Sequence, residues 1–198
     1  MTPYEIIAGP LELWAAPIGT AFPIVGAAPA VAWSKIGTSG NKNYADDGIS
    51  VAHSQKVETA RPAGAMGPVK AWRTEEDMML TVTLWDMSLE QYTRALSGSA
   101  VSTTAAAVGT AGYKKLGLSR GSDVATFALM ARGASAYGDT YAAQYEVPRV
   151  FQSGNPKILY KKGVPAGLEL EFTALEDAAA ASDSERFGRL IMQHQAAL

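Results

Sequence analysis

Leu168, Leu170, Phe172 and Ala174 alternate with Glu169, Glu171 and Thr173. A period of two commits that segment to a β-strand with one dry and one wet face. Residues 77–86 keep the same period, with Met78, Leu80, Val82 and Leu84 on one face and Met79, Thr81, Thr83 and Trp85 on the other. Apolar residues on both faces predict a central strand covered on both sides. Further strands are expected at 11–15, 31–36, 49–60, 113–118, 123–132, 141–151 and 157–161, each a short run bounded by Gly, Pro, Asp or Ser. The predicted class is mainly β: a sandwich or barrel of two packed antiparallel sheets, with one flanking α-helix and a long projecting hairpin loop.

The helix is expected at 88–96. Ser88-Leu89-Glu90-Gln91 has the form of a capping box, Leu89, Tyr92 and Leu96 share one face, and Gly98 supplies a stop. Ser182-Asp183-Ser184-Glu185 repeats the box ahead of Phe187, Leu190 and Ile191. Residues 183–198 are therefore expected to form a C-terminal helix, or an arm that orders on a neighbour. Between the early strands, 38–72 is mostly polar or small, with a turn signal at Asp46-Asp47-Gly48 and further breaks at Arg61-Pro62-Ala63-Gly64 and Gly67-Pro68. It reads as a projecting hairpin, its loop spanning 38–68. Segments 97–112 and 176–183 are low in complexity and read as surface loops. The chain of 198 residues fits a single domain, 1–198.

A net charge of -2 gives no general pull towards DNA or an anionic membrane. The absence of cysteine removes disulfides and thiolate chemistry. No apolar run reaches the roughly 20 residues that span a bilayer, and the first ten residues lack a basic region followed by an apolar one, so synthesis in the cytoplasm is expected. No metal or cofactor is expected: His53 and His194 lie far apart and outside any zinc-ligand spacing. Gly117-Leu118-Ser119-Arg120-Gly121 matches a nucleophile elbow in form, with Asp139 or Asp177 and then His194 following in hydrolase order. The elbow needs a strand turning into a helix, whereas 124–131 alternates as a strand, so Ser119 is expected in a hairpin turn and a small serine hydrolase is the alternative from another class. Trp14, Trp33, Trp72 and Trp85 read as core or subunit contacts rather than a base-stacking platform, because basic interleaving occurs only at Lys70-Ala71-Trp72-Arg73.

The order of segments carries more than any one of them. Trp33-Ser34-Lys35-Ile36-Gly37 leads into a long extended loop, then Gly67-Pro68-Val69-Lys70, then Arg73-Thr74-Glu75-Glu76-Asp77 and an alternating strand, then the helix Ser88 to Leu96. This succession, together with Leu11-Glu12-Leu13-Trp14-Ala15-Ala16-Pro17-Ile18-Gly19 at the start, resembles the major tail tube proteins of long-tailed bacteriophages. The resemblance implies a non-enzymatic subunit of six-fold rings that stack into the tail tube, through which the genome passes without specific binding. It also implies contacts with the tape measure, terminator and distal tail proteins, no membrane, and residence in the virion tail after synthesis in the bacterial cytoplasm. Subunit contacts are expected at Asn41, Tyr44, Asp46, Asp47, Lys56, Arg61, Trp72 and Arg73. Another ring protein of a tail or injection apparatus, a terminator or adaptor, is the structural alternative.

Overall fold

The computed structural model describes residues 6–7, 9–97, 99–138 and 140–194. Gly98, Asp139 and the last four positions of the expected C-terminal arm lie outside the described residues. The strands are β1 (Glu12–Ala16), β2 (Ser34–Lys35), β3 (Tyr44–Ala60), β4 (Lys70–Leu84), β5 (Val101–Thr104), β6 (Tyr113–Leu116), β7 (Thr126–Ala134), β8 (Ala142–Gln152), β9 (Leu168–Ala174) and β10 (Arg189–Met192), with helix α1 (Leu89–Ala95) between β4 and β5. The fold is mainly β: one main antiparallel sheet runs β2-β1-β7-β8-β9-β4-β3 with β10 added on β8, and β5 and β6 form a small second sheet.

The main sheet must curl. Its first strand in order, β2, and its last, β3, are joined by residues 36–43 alone, half of them in a 3-10 turn at Gly40–Asn43. So short a segment cannot reach beyond about 30 Å even when fully extended. Leu13 of β1 accordingly shares one core with Leu80, Val82 and Leu84 of β4, although three strands separate them in the sheet. Leu168, Leu170 and Phe172 of β9 complete that core as the alternation predicts, and each such burial stabilises by about 1.5–3 kcal/mol. On β4 only the Met78–Leu84 face is dry: Met79, Thr81 and Thr83 are half-buried and Trp85 is exposed, so the strand is not covered on both sides.

Helix α1 begins where expected but by another device. Ser88 makes no capping bond to the helix; instead the Asp86 carboxylate accepts the Ser88 N–H at 3.0 Å and the Thr38 N–H at 2.8 Å. Burial pushes the Asp86 carboxyl up, yet hydrogen bonds from Thr38 and Ser88 outweigh it and hold it down at about 2. Segment 97–112 is not all loop, since it contains β5 and the turn towards β6. Segment 157–161 forms no strand and contributes one isolated bridge, Lys161 to Val164.

The C-terminal helix expected from Ser182 is replaced by a 3-10 turn at Asp183–Glu185 and the strand β10. Gly188 at φ +121° breaks helical continuation, and an added Cβ there would collide with the Glu146 carbonyl oxygen. The N-terminal half of β8 has a free edge on the side where β9 takes only Val150–Gln152, and Arg189–Met192 fills it opposite Ala143–Glu146. Sheet pairing thus overrides the helical spacing of Phe187, Leu190 and Ile191.

Candidate assembly surface

Strands β3 and β4 pair from Ile49/Val82 out to Ala60/Lys70, but β9 covers β4 only from Met79 to Leu84. Beyond that point the two strands run on as a ribbon about 30 Å long with no other strand beside them among the described residues. Every residue of Ala52–Thr59 and Lys70–Asp77 is exposed, so both faces of this arm meet solvent, and towards its root Arg73–Glu76 share a cavity with Glu176, Arg186 and Phe187 of the body. The outer edge of β3, the last strand of the sheet, is also open. Such a double edge presents backbone N–H and C=O groups to any strand that can approach.

Two irregularities shape the arm. At its root, Tyr44 pairs with Leu84 and Ile49 with Val82, leaving Ala45 to Gly48 as a bulge with Gly48 at φ +68°. The Asp46-Asp47-Gly48 signal therefore bends a strand instead of making the hairpin turn, which lies at 61–69. Midway, Lys56 pairs with Glu75 and Val57 with Arg73, so Thr74 is the extra residue, its hydroxyl donating to the Lys56 carbonyl at 3.3 Å.

The expected contact residues separate into three groups. Lys56, Arg61, Trp72 and Arg73 are brought together on the arm and all are exposed. Lys56 pairs with Glu75 at 3.2 Å, while Arg73 donates to Gln55 at 2.8 Å and Glu76 at 3.0 Å. These exposed pairs add little stability, roughly 0–1 kcal/mol each, and fix side-chain orientation on the ribbon. Asn41, Asp46 and Asp47 sit at the root, around a cavity of about 660 Å³ that Leu11, Ile49 and Tyr145 also line. Tyr44 stands apart: it is buried at 5% exposure within the subunit, its hydroxyl donating to the Ile36 carbonyl and accepting the Leu13 N–H. Burial, partly offset by the Leu13 N–H, pushes its phenol up to about 12. It closes the fold and lines the root cavity from within.

Sequence reading named Trp72 as a contact but missed the arm's other apolar residues. Val57, Met66, Val69 and Trp72 are all exposed, with Met66 entirely in solvent. The available signal was apolar residues inside an otherwise polar hairpin, a pattern with no folding advantage for an isolated chain. Opposed pairs put Trp72 with Glu58 on one face and Val57 with Arg73 on the other, so both faces carry an apolar side chain among charges.

Ser119 lies in an exposed loop between β6 and β7, its Oγ accepting the Gly121 N–H at 3.3 Å. The strand-to-helix turn of an elbow is not what holds it. His194 stacks on Tyr137 with ring centroids 4.8 Å apart, and His53 is opposite Met78 at the start of the arm. Of the tryptophans, Trp33 is buried, Trp14 is half-buried beneath Lys35, and Trp72 and Trp85 are exposed. No helix among the described residues is long and apolar enough to cross a membrane.

No protein-family model matches this sequence, and no curated protein sequence matches it.

Proposed function

We propose that this protein is a structural subunit that closes into six-fold rings stacking into the tail tube of a long-tailed phage. The observation that carries this reading is the β3–β4 arm, a ribbon open at its edges, exposed on both faces and bearing Val57, Met66, Val69 and Trp72. An isolated chain gains nothing from extending such an element, whereas a neighbouring copy that pairs with its edges and covers its apolar residues removes both from water. The ordered segments at 31–98 that resemble tail tube proteins contain the whole arm and α1. In this reading the curled sheet with its flanking helix is the tail-tube fold, and the arm is the contact between stacked rings. Tape measure, terminator and distal tail proteins meet the ends of the tube, and DNA passes along the lumen without specific binding.

Negative-stain microscopy of the concentrated protein tests the proposal. Rings and hollow tubes are the expected particles. Rings that never stack would favour a terminator or adaptor, and isolated globular particles at every concentration and salt would overturn both readings.

A further inference from the structure

The two ends of the arm complement each other in shape and charge. At the tip, residues 59–72 hold two cations, Arg61 and Lys70, and no acid. Both are exposed, and the ion pairs of the arm, Lys56 with Glu75 and Arg73 with Glu76, leave them out. Between them Met66 and Val69 stand in solvent. The turn that carries these residues is already formed in the single chain, with the Ala65 N–H donating to the Pro62 carbonyl and the Val69 N–H to the Ala60 carbonyl, each at 3.0 Å. A preformed turn loses little freedom when it docks.

At the root, the cavity of about 660 Å³ has an apolar lining that includes Leu11, Ile49, Tyr145 and Met192, and its charged residues are Asp46 and Asp47. Both aspartates are exposed and form no ion pair among the described residues, the nearby Lys42 included. The tip of one chain cannot fill the cavity of the same chain, because the ribbon holds the two about 30 Å apart. A second copy can bring them together, covering Met66 and Val69 with apolar walls and giving each cation a carboxylate.

We propose that the arm tip of one subunit seats in the root cavity of the next, with Met66 packed against Ile49 and Tyr145, and Arg61 and Lys70 paired with Asp46 and Asp47. The inference rests on the reading of the arm as the contact between copies and adds the surface that receives it. Tip and root are different surfaces, so the contact is heterologous. Rings joined in this way present tips at one end and roots at the other, and stacking has no built-in stop.

Sedimentation velocity of the full-length protein tests the contact with two charge reversals, Arg61→Glu with Lys70→Glu at the tip and Asp46→Lys with Asp47→Lys at the root. Each variant alone sets like charges together and should need at least about tenfold more protein to assemble than the wild type. Mixed in equal amounts before assembly, the two should recover most of that loss, because each reversed end then meets the opposite charge on the other variant. A variant that assembles as readily as the wild type, or weakened variants that mixing does not rescue, would overturn this contact and leave the arm's role in assembly standing. Wild-type protein that never assembles overturns both. Should circular dichroism show a reversed variant misfolded, cysteine pairing decides instead. The natural chain has no cysteine, so Met66→Cys and Ile49→Cys subunits, mixed and oxidised, should give a disulfide-linked dimer that neither gives alone. Absence of that dimer from assembled particles overturns the proposal.

Discussion

The Tyr44 hydroxyl accepts the Leu13 backbone N–H at 2.9 Å and donates to the Ile36 carbonyl at 2.8 Å, tying the base of β3 to β1 across the opening of the curled sheet. Tyr44→Phe leaves two buried backbone groups without a partner and should destabilise the protein by about 1–3 kcal/mol in urea unfolding. The phenol, raised from 10.0 to about 12, also makes a pH prediction. Between these values the folded state holds a proton that the unfolded state has lost, so this contribution is complete below pH 10 and fades as pH rises towards 12. Tyr44→Phe should flatten that part of the stability profile.

Asp86 gives the opposite slope. Its carboxyl is lowered from 3.8 to about 2, so its contribution is complete above pH 3.8 and is lost as pH falls through about 2. The group is half-buried, and its remaining contact with solvent screens it and reduces the expected contribution to about 1 kcal/mol. Asp86→Asn should cost about that much at neutral pH, abolish the acid dependence, and speed hydrogen exchange of the Thr38 and Ser88 amides.

Glu146 is buried at 3% exposure and binds Arg189 at 2.7 Å, fastening β10 to β8. Arg189→Met leaves a buried carboxylate short of charge and should cost about 2 kcal/mol, less than for a fully buried pair because Arg189 is half exposed. Adding Glu146→Gln should recover part of that loss. Losses from Arg189→Met and Glu146→Gln that simply add in the double variant would show that the pair is not coupled.

The period-two strands were legible because burial acts on single faces: Leu168 to Ala174 and Met78 to Leu84 are dry where the alternation places them. The helix was legible from its apolar stripe, although its start rests on Asp86 rather than the Ser88 side chain. What escaped sequence reading depended on distant partners. The helical spacing at Phe187, Leu190 and Ile191 could not reveal that half of β8 offered a free edge, and Asp46-Asp47-Gly48 looks the same in a bulge as in a hairpin turn. Tyr44 sits within a polar stretch, and only the closure of the sheet turns it inward. A polar hairpin was legible at 38–72, but the exposed ribbon pairs Ala52–Ala60 with Lys70–Asp77, and its bounds, its pairing and the exposure of Val57, Met66 and Val69 needed the structure.

Trp72 separates folding from assembly. At 46% exposure on the two-stranded arm, Trp72→Ala should change subunit stability by no more than about 0.5 kcal/mol. As an aromatic covered by a neighbour it should cost about 2 kcal/mol of association, raising the concentration needed for assembly roughly thirtyfold in sedimentation velocity.

Hydrogen exchange along the arm, compared between dilute subunits and concentrated protein, addresses the central claim directly. In dilute protein, the outward amides of Ala52–Ala60 and Lys70–Asp77 should exchange at nearly unprotected rates, because no strand lies beside either edge. Strong protection of these amides on assembly is the predicted result. Assembled particles whose arm amides exchange as fast as in the dilute subunit would contradict the account.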